Sequence, residues 1–535
     1  MALDAVARGY CVALVEKADF ASGTSSKATK LVHGGIRYLP NFDFGLVHEA
    51  LIERGLLLQN APFLVQPVGF LLPIYEGDRH PVGMPFTTPG GIGLSRLLDI
   101  GLWLYDILAG RRNIRRHRHL SRERVLAMAP TLVTNGLKEG FIYYDAQTND
   151  TRLSMTLIRT AAQYGATIAN YAKVTSFIKE DGKISGAHVY HQLSDQEVTI
   201  HSRYVINATG VFSDQLEAMT GDDPQIKIVP SKGVHLVFSR EDLQIGDDAI
   251  VLPETEDKRL LFIVPWESRV ILGTTDTGPG DLDNPTLSPE DVDYLLHYLN
   301  RYLSVNLTRE NIISTYAGYR PLVKPARAGQ SSSRLSRSHV VLQSPSGLVT
   351  ITGGKLTTYR RMAQDTLDVI SKRDSTKPIH PTEHLPLQGA AGWPVLQKAL
   401  ERRGMELGLS GSILAHLGHN YGIEANDLLD LIADDSSLAQ RLIDDLPYLR
   451  AEVVYACRNE MAMTLEDVLS RRTRIILEDG TRGVSIASEV ANLMAAELNW
   501  SSEQTHAQVE QYRTLVGQQV TAEGQQTVLQ IGSNL

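Results

Sequence analysis

Residues 1–26 read MALDAVARGYCVALVEKADFASGTSS, and this stretch decides the fold. Residues 2–8 carry Leu3, Val6 and Ala7 at helical spacing, and Gly9 ends the pattern. Residues 11–17, CVALVEK, then form a short apolar run closing on an acid, Glu16. In dinucleotide-binding βαβ units such an acid grips a ribose hydroxyl, and a strand with a Gly-x-Gly-x-x-Gly turn stands before the helix. Neither stands before this helix in the sequence as given. The stretch therefore predicts a parallel nucleotide-binding sheet, with its phosphate-cradling turn outside the 26 residues quoted.

Composition sets the frame around that reading. A chain of 535 residues has room for about three domains. Hydrophobic residues at 43% and charged residues at 21% are those of an ordinary globular protein. A net charge of −9 argues against nucleic acid as a partner. Two cysteines, Cys11 and Cys457, exclude a disulfide framework and suggest a reducing compartment, and Cys11 is expected in the core of its strand. No run approaches the ~18 apolar residues of a membrane span and no signal peptide is visible. The expected location is the cytoplasm or the inner face of the cytoplasmic membrane.

Along the chain, strand–turn–helix patterns recur at 1–75, at 151–225 (RLSMTLIRTAAQYGA, then TIANYAKVTSFIKE, ISGAHVYHQ and YVINATG) and at 318–375 (GLVTITGGKLTTYRRMAQDTLDVI). Residues 76–150 and 226–317 are richer in strands and turns, with LLFIVPW and RVILGTTD as examples. After a Pro-rich joint near 378–394 only helical patterns follow, to about 516, and Thr464 with Asp467 resembles a capping box. Residues 517–535 are Gln/Thr/Gly-rich and are expected to be a frayed tail. The expected class is α/β: a Rossmann-like cofactor domain in three pieces, an interleaved strand-rich domain, and an all-helical C-terminal domain.

Four constellations carry chemistry. ASGTSSKATKLVHGGIRYL places Ser22, Thr24, Ser25 and Ser26 around Gly23, then Lys30, His33, Gly34, Gly35, Arg37 and Tyr38 within nine residues. Close backbone approach, two cations and an imidazole suit a flat cofactor and an anion. GGKLTTYR sets Gly353 and Gly354 between a strand and a helix N-terminus, where free N–H groups and Lys355 would stabilise a group gaining negative charge; a plain βα turn is the alternative. AGYRPLVKPARAGQSSSRLSRSH carries Arg320, Lys324, Arg327, Arg334 and Arg337, of which Arg320, before Pro321 in apolar surroundings, is least suited to plain solvation. KGVH (232–235) and GTTDT (273–277) lie beside strands of the interleaved domain, and their neighbours lift His235 and His33 as candidates.

With these residues in hand, the chain resembles the FAD-dependent glycerol-3-phosphate dehydrogenases of the aerobic, quinone-reducing type from residue 1 to about 500. The motifs are EKADFASGTSSKATKLVHGGIRYL, INATGVFSD, FIVPW, LGTTDT, GYRPL, LSRSH and TGGKLTTYRRMA, with AEVVYACRNEMAMTLEDVLSRRTRI in the helical domain. The resemblance implies a two-domain flavoprotein of the D-amino-acid-oxidase type plus a helical domain. It also implies a strand and a loop ending G-A-G directly before ALDA. Lacking these, the sheet is expected to miss a central strand and the pyrophosphate its cradle. By the resemblance Glu16 takes the adenosine ribose, while Ser22–Ser26 (with Gly23, Thr24 and Ser25) and His33–Gly35 pass along FAD. Val174 sits near the adenine, Asn207–Gly210 (with Ala208) close over it, and Gly353, Gly354, Lys355, Leu356 and Thr357 face the flavin. No metal site is implied.

The reaction implied is oxidation of sn-glycerol 3-phosphate at C2 to dihydroxyacetone phosphate. Arg37, Arg320 and Arg337 bind the phosphate with Lys355 and Tyr38 nearby. The base is His235 or His33, and Arg320 stabilises the forming carbonyl oxygen. GIGLSRLLDIGLWLYDILAG has polar Arg96, Asp99 and Asp106 against a face of Leu94, Leu97, Leu98, Leu102, Trp103 and Leu104, and RRNIRRHR follows. Residues 91–118 then read as an interfacial anchor on anionic lipid, or as a packing helix with a solvated basic tail. Membrane quinone is the expected acceptor. An oxygen-using oxidase and an FAD-free remnant serving as an interaction module are the other readings, and a homodimer is left open.

Overall fold

The computed structural model describes residues 1–78, 93–253, 255, 259–325 and 338–523. The opening helix spans Ala2–Ala7 and turns off at Gly9, whose φ of 92° lies in the left-handed region that glycine adopts freely. It leads into β1 (Ala13–Val15), which pairs in parallel with β6 (Thr167–Ala169). The strand is shorter than its apolar run, so Cys11 falls before it and is exposed, not buried as expected. Helix Asp150–Gln163 precedes β6 and buries Leu153 and Ala161 against Leu3 and Leu57; the Asn149 side chain caps it by accepting from the Arg152 N–H. A second parallel pair joins β10 (Ile206–Asn207) to β17 (Val349–Thr352), with β16 (Val340–Gln343) antiparallel on the other edge. Beside β1 and β6 lies an antiparallel sheet of β7 (Ala172–Glu180), β8 (Lys183–His191) and β9 (Gln196–His201).

The largest sheet has nine strands. Its path runs β15 (Ser314–Pro325), β11 (Ile226–Ser239), β14 (Arg269–Gly273), β13 (Phe262–Trp266), β12 (Ala249–Val251), β3 (Val65–Tyr75), β5 (Leu137–Thr148) and β2 (Leu31–Val32), with β4 (Arg118–Ser121) on β5. Beyond strands of the expected 76–150 and 226–317 pieces, the sheet takes in β2, β3 and most of β15, because their backbones pair with β5 and β11. Side chains alternate along β11. Val234, Leu236 and Phe238 face a core shared with Val270, Leu272 and Ala317, covered by helix Pro289–Tyr302 through Val292, Leu295 and Leu299. Ser231, Gly233 and His235 face the other way, toward the functional site.

Helix Leu94–Ala109 corrects the anchor expectation in detail. Its leucine face turns inward: Leu102 is buried and Leu94, Leu98 and Leu104 pack on the core, leaving Ile100, Trp103 and Ile107 exposed. Residues 91 and 92 of that segment lie outside the described residues.

The C-terminal unit is helical, as expected. Thr464 and Asp467 form their capping pair, the Asp467 N–H donating to Thr464 Oγ1 and the Thr464 N–H to Asp467 Oδ2. The chain then enters a π-helical turn over Asp467–Arg472 instead of a regular helix. The last helix spans Ser502–Glu523, so the frayed tail does not begin at Gly517: Val509, Tyr512, Val516 and Val520 bury one stripe of it. Residues 524–535 lie outside the described residues.

Candidate active site

The site is built on the open face of the nine-stranded sheet. Register sets His235 beside Gly273 on β14 and Tyr316 on β15, and Ser231 beside Arg320. A Cβ on Gly273 would collide with the His235 ring, and one on Gly233 would stand 2.6 Å from Arg320 Nη2. The two glycines let these large side chains lie flat on the sheet. His235 stacks on Tyr316, centroids 4.5 Å apart and planes within 9°, and its Nε2 lies 2.9 Å from Thr29 Oγ1. Nδ1 is buried with no hydrogen-bond partner among the described residues. Burial, then Arg320 and Lys30, push the imidazole well below its ordinary pKa. Arg320 donates through Nη1 to Ser231 Oγ and the Thr275 carbonyl, each at 3.3 Å, and through Nη2 to Thr274 Oγ1 at 3.2 Å.

A second cluster comes from LVHGGIRY and GGKLTT. Arg37 Nη2 donates to Tyr38 Oη at 2.9 Å, and Lys355 Nζ sits 4.0 Å above the Tyr38 ring. The His33 N–H donates to Thr357 Oγ1 at 3.2 Å, joining the two motifs. Gly34 donates its N–H to Asp145, itself held by Arg54 and by the Tyr105 hydroxyl. Gly34 has no room for a Cβ between Tyr105 and Leu51, and Gly35 has φ 77°. Burial, with Lys355, Arg37 and Arg54, drives the His33 imidazole down to about 3. The structure thus brings His33, Arg37, Tyr38, Lys355 and Thr357 together, and His235 with Arg320. Arg337, with Arg327 and Arg334, lies outside the described residues.

The remaining expected cofactor residues are spread over several other segments. Glu16 follows β1, accepts from the Ala18 N–H at 3.1 Å, and has its pKa raised by burial. Ser22 leads into the 3-10 turn Thr24–Ser26; Thr24 Oγ1 donates to the Tyr319 carbonyl and Ser26 is buried. Val174 pairs with Val189 in β7–β8. Ala208 is exposed after β10, and the Gly210 carbonyl accepts from Thr352 Oγ1 at the end of β17. Gly353 and Gly354 take φ of 79° and 75° before the short turn Leu356–Thr358.

Four contributors escaped the sequence reading: Thr29, Tyr316, Asp145 and Asp150. Lys30, read there as a cation for an anion, is fully buried and ion-paired with Asp150 at 2.8 Å. The donor set fits FAD. Glu16 offers a carboxylate at the end of a parallel strand, and nothing stands within 4 Å of a Cβ at Gly23 or Gly210.

Comparison with known proteins agrees. The FAD dependent oxidoreductase family (DAO) matches residues 1–360, and the C-terminal domain of alpha-glycerophosphate oxidase matches residues 380–505. Glycerol-3-phosphate dehydrogenase 2 of Mycobacterium tuberculosis (strain ATCC 25618 / H37Rv) is 38% identical over 530 residues, covering 98% of this chain and 87% of that one. The mitochondrial glycerol-3-phosphate dehydrogenase of Homo sapiens is 37% identical over 538 residues, covering 96% and 70%. The structure of glycerol-3-phosphate dehydrogenase from Bacillus halodurans complexed with FAD superposes with a TM-score of 0.79 at 29% identity, over 97% of this chain and 92% of that one. The fold is that of an FAD-dependent oxidoreductase with a helical C-terminal domain. Within that class, the chain belongs to the FAD-dependent glycerol-3-phosphate dehydrogenase family.

Proposed function

We propose that the chain oxidises sn-glycerol 3-phosphate at C2 to dihydroxyacetone phosphate, with membrane quinone as the final electron acceptor, at the inner face of the cytoplasmic membrane. The observation that carries the chemistry is the pairing of His235, whose buried Nδ1 has no hydrogen-bond partner among the described residues, and Arg320 on one glycine floor. His235 takes the proton of the C2 hydroxyl, and Arg320 holds the oxygen as it becomes a carbonyl. Arg37, Lys355, Tyr38 and Arg337 take the phosphate. His33 is the poorer base, ringed by Lys355, Arg37 and Arg54. The substrate dianion offsets the cationic field around His235, so its proton affinity rises when substrate is bound. Glu16, Ser22–Ser26, His33–Gly35, Val174, Ala208–Gly210 and Gly353–Thr357 would hold FAD. When bound, FAD supplies the acceptor for the hydride leaving C2.

Helix Leu94–Ala109 supports the membrane part. Ile100, Trp103 and Ile107 share one exposed face, 60%, 45% and 68% accessible. Exposed Arg111, Arg115, Arg116 and Arg118 follow, with Arg116 5.7 Å from the Trp103 ring centroid. An apolar stripe beside clustered arginines suits anionic lipid. No described helix is long and apolar enough to cross a membrane.

The test is turnover of sn-glycerol 3-phosphate by the purified, flavin-loaded chain, with quinone in anionic vesicles, with a soluble dye, and with oxygen. Dihydroxyacetone phosphate formed with quinone and little hydrogen peroxide is the expected result. Stoichiometric peroxide would make the protein an oxidase, and loaded protein inert with every acceptor would overturn the proposal.

A further inference from the structure

Two consecutive residues of the KATK turn converge on the His235–Tyr316 stack. Thr29 Oγ1 lies 2.9 Å from His235 Nε2. Lys30 sends its Nζ to 4.8 Å from the Tyr316 centroid and 5.0 Å from that of Trp266. Successive side chains of an extended segment point to opposite sides. Lys30 breaks that alternation with φ of 62°, and both side chains reach the same pair of rings. The ammonium is fixed in place: Asp150 Oδ1 accepts from Lys30 Nζ at 2.8 Å and from the Thr151 N–H at 3.0 Å, while Oδ2 accepts from the Ala28 N–H at 3.0 Å. The Tyr316 hydroxyl donates to the Ala28 carbonyl at 2.9 Å, closing the ring onto the same turn.

We propose that Thr29 and Lys30 are positioning residues for His235: Thr29 Oγ1 accepts a hydrogen bond from Nε2–H and leaves Nδ1 as the acceptor, and the Lys30 ammonium, 4.8 Å from the Tyr316 centroid, adds a positive charge beside the stack. This rests on the reading of His235 as the base. If Thr29 donated instead, the ring proton would sit on Nδ1, a buried donor without an acceptor, and the ring could take no proton from substrate. The charges facing His235 are Arg320 from β15 and Lys30 from the turn, with the neutral Tyr316 hydroxyl beside it. Asp150, Arg474 and Glu267 face Lys30 in turn, and burial outweighs the two carboxylates, bringing the ammonium down to about 8. At neutral pH most of its charge is retained, on the side of the Tyr316 ring.

The experiment is ¹⁵N NMR of histidine-labelled, flavin-loaded protein, where ring shifts report tautomer and titration midpoint. The His235 signals are identified by their loss in His235→Gln. Thr29→Val should abolish the pure Nε2–H pattern and lower kcat roughly tenfold or more, with KM nearly unchanged. Lys30→Met should raise the His235 midpoint by roughly one pH unit and carry the acidic limb of kcat/KM with it, and Lys30→Arg should restore both. Because Lys30→Met strands a buried carboxylate, Lys30→Met/Asp150→Asn repeats the test with a neutral pair. An unmoved midpoint in the double variant, or an unchanged tautomer in Thr29→Val, would overturn the proposal. If His235→Gln turned over normally while the shifts still moved, the base assignment would fall and the coupling would stand.

Discussion

Arg472 grips Asp19 with two parallel hydrogen bonds, Nη1 to Oδ2 at 2.7 Å and Nη2 to Oδ1 at 2.8 Å, across 453 residues of chain. Both side chains are fully buried, and Arg471 Nε donates to the same Oδ2. The fork ties the π-helical turn of the C-terminal unit to the turn that follows β1, where Ser22–Ser26 begin. Arg474 adds a bond to the Ser26 carbonyl at 3.0 Å. The helical unit therefore holds the shape of the Ser22–Ser26 turn.

That pairing makes stability depend on acid in a defined direction. Burial alone would raise the Asp19 carboxyl, but Arg472 and Arg471 outweigh it and bring it to about 2. A depressed carboxyl contributes stability above the unfolded-state value, near ~3.9, and loses it as pH falls through the folded value. Thermal midpoints should fall between about pH 4 and pH 2 more steeply in the native chain than in Asp19→Asn. At pH 7 that variant should be less stable by about 3–5 kcal/mol, because two buried guanidinium groups lose their shared anion. Denaturant titration checks it, and equal stability of the two proteins at pH 7 would deny the fork its role.

Arg320→Lys should keep bound flavin and lose turnover. The lysine retains charge but cannot span Ser231, Thr274 and Thr275 while offering a fork to substrate. A loss of ~2 kcal/mol in transition-state binding, about thirtyfold in kcat/KM, is expected. Flavin absorbance and steady-state kinetics on one preparation measure both quantities, and near-normal turnover would remove Arg320 from the site.

Gly273→Ala should act through His235. The added methyl would meet the ring at Cδ2 and Nε2, so the imidazole must tilt from Tyr316 and from Thr29. Overpacking of this kind costs about 1–3 kcal/mol of stability, whereas the displaced base should lower kcat at least tenfold. Melting and kcat measured together separate the two; a change in melting alone would make the glycine a packing residue only.

What the sequence made legible follows from how far each signal reaches. The run before Glu16 and the glycines between β17 and its helix are local patterns, and both led to the parallel strands observed. Lys30 was misread as a cation for an anion because its partner, Asp150, lies 120 residues away and nothing near Lys30 marks it as buried. Cys11 was placed in the core because an apolar run does not show where pairing with β6 begins. Past Gly517 the Gln/Thr composition hid the continuation, at Val520, of a spaced stripe that begins with Val509, Tyr512 and Val516. In residues 94–109 amphipathicity gave a leucine face, but periodicity does not say whether such a face meets protein or lipid.

The last point changes which residues test the membrane proposal. Leu98 and Leu102 pack inside, so replacing them would damage the fold and say nothing of lipid. The informative set is Ile100, Trp103 and Ile107 with Arg111, Arg115, Arg116 and Arg118. Arg112 drops out of the basic group because its stem packs on Gly55, where a Cβ would stand 2.7 Å from Arg112 Cβ. Each arginine at an anionic surface contributes about 1 kcal/mol before salt screening, so four can outweigh a net charge of −9 spread over the whole body. Changing the four to Gln should release the protein from anionic vesicles and depress quinone reduction while sparing dye reduction. Changing Ile100, Trp103 and Ile107 to Ser should also weaken binding and leave a remainder of it that salt removes, because it takes away the apolar and not the electrostatic part of the contact. Equal loss with both acceptors would make the segment structural, and undiminished vesicle binding in both variants would place the lipid contact elsewhere.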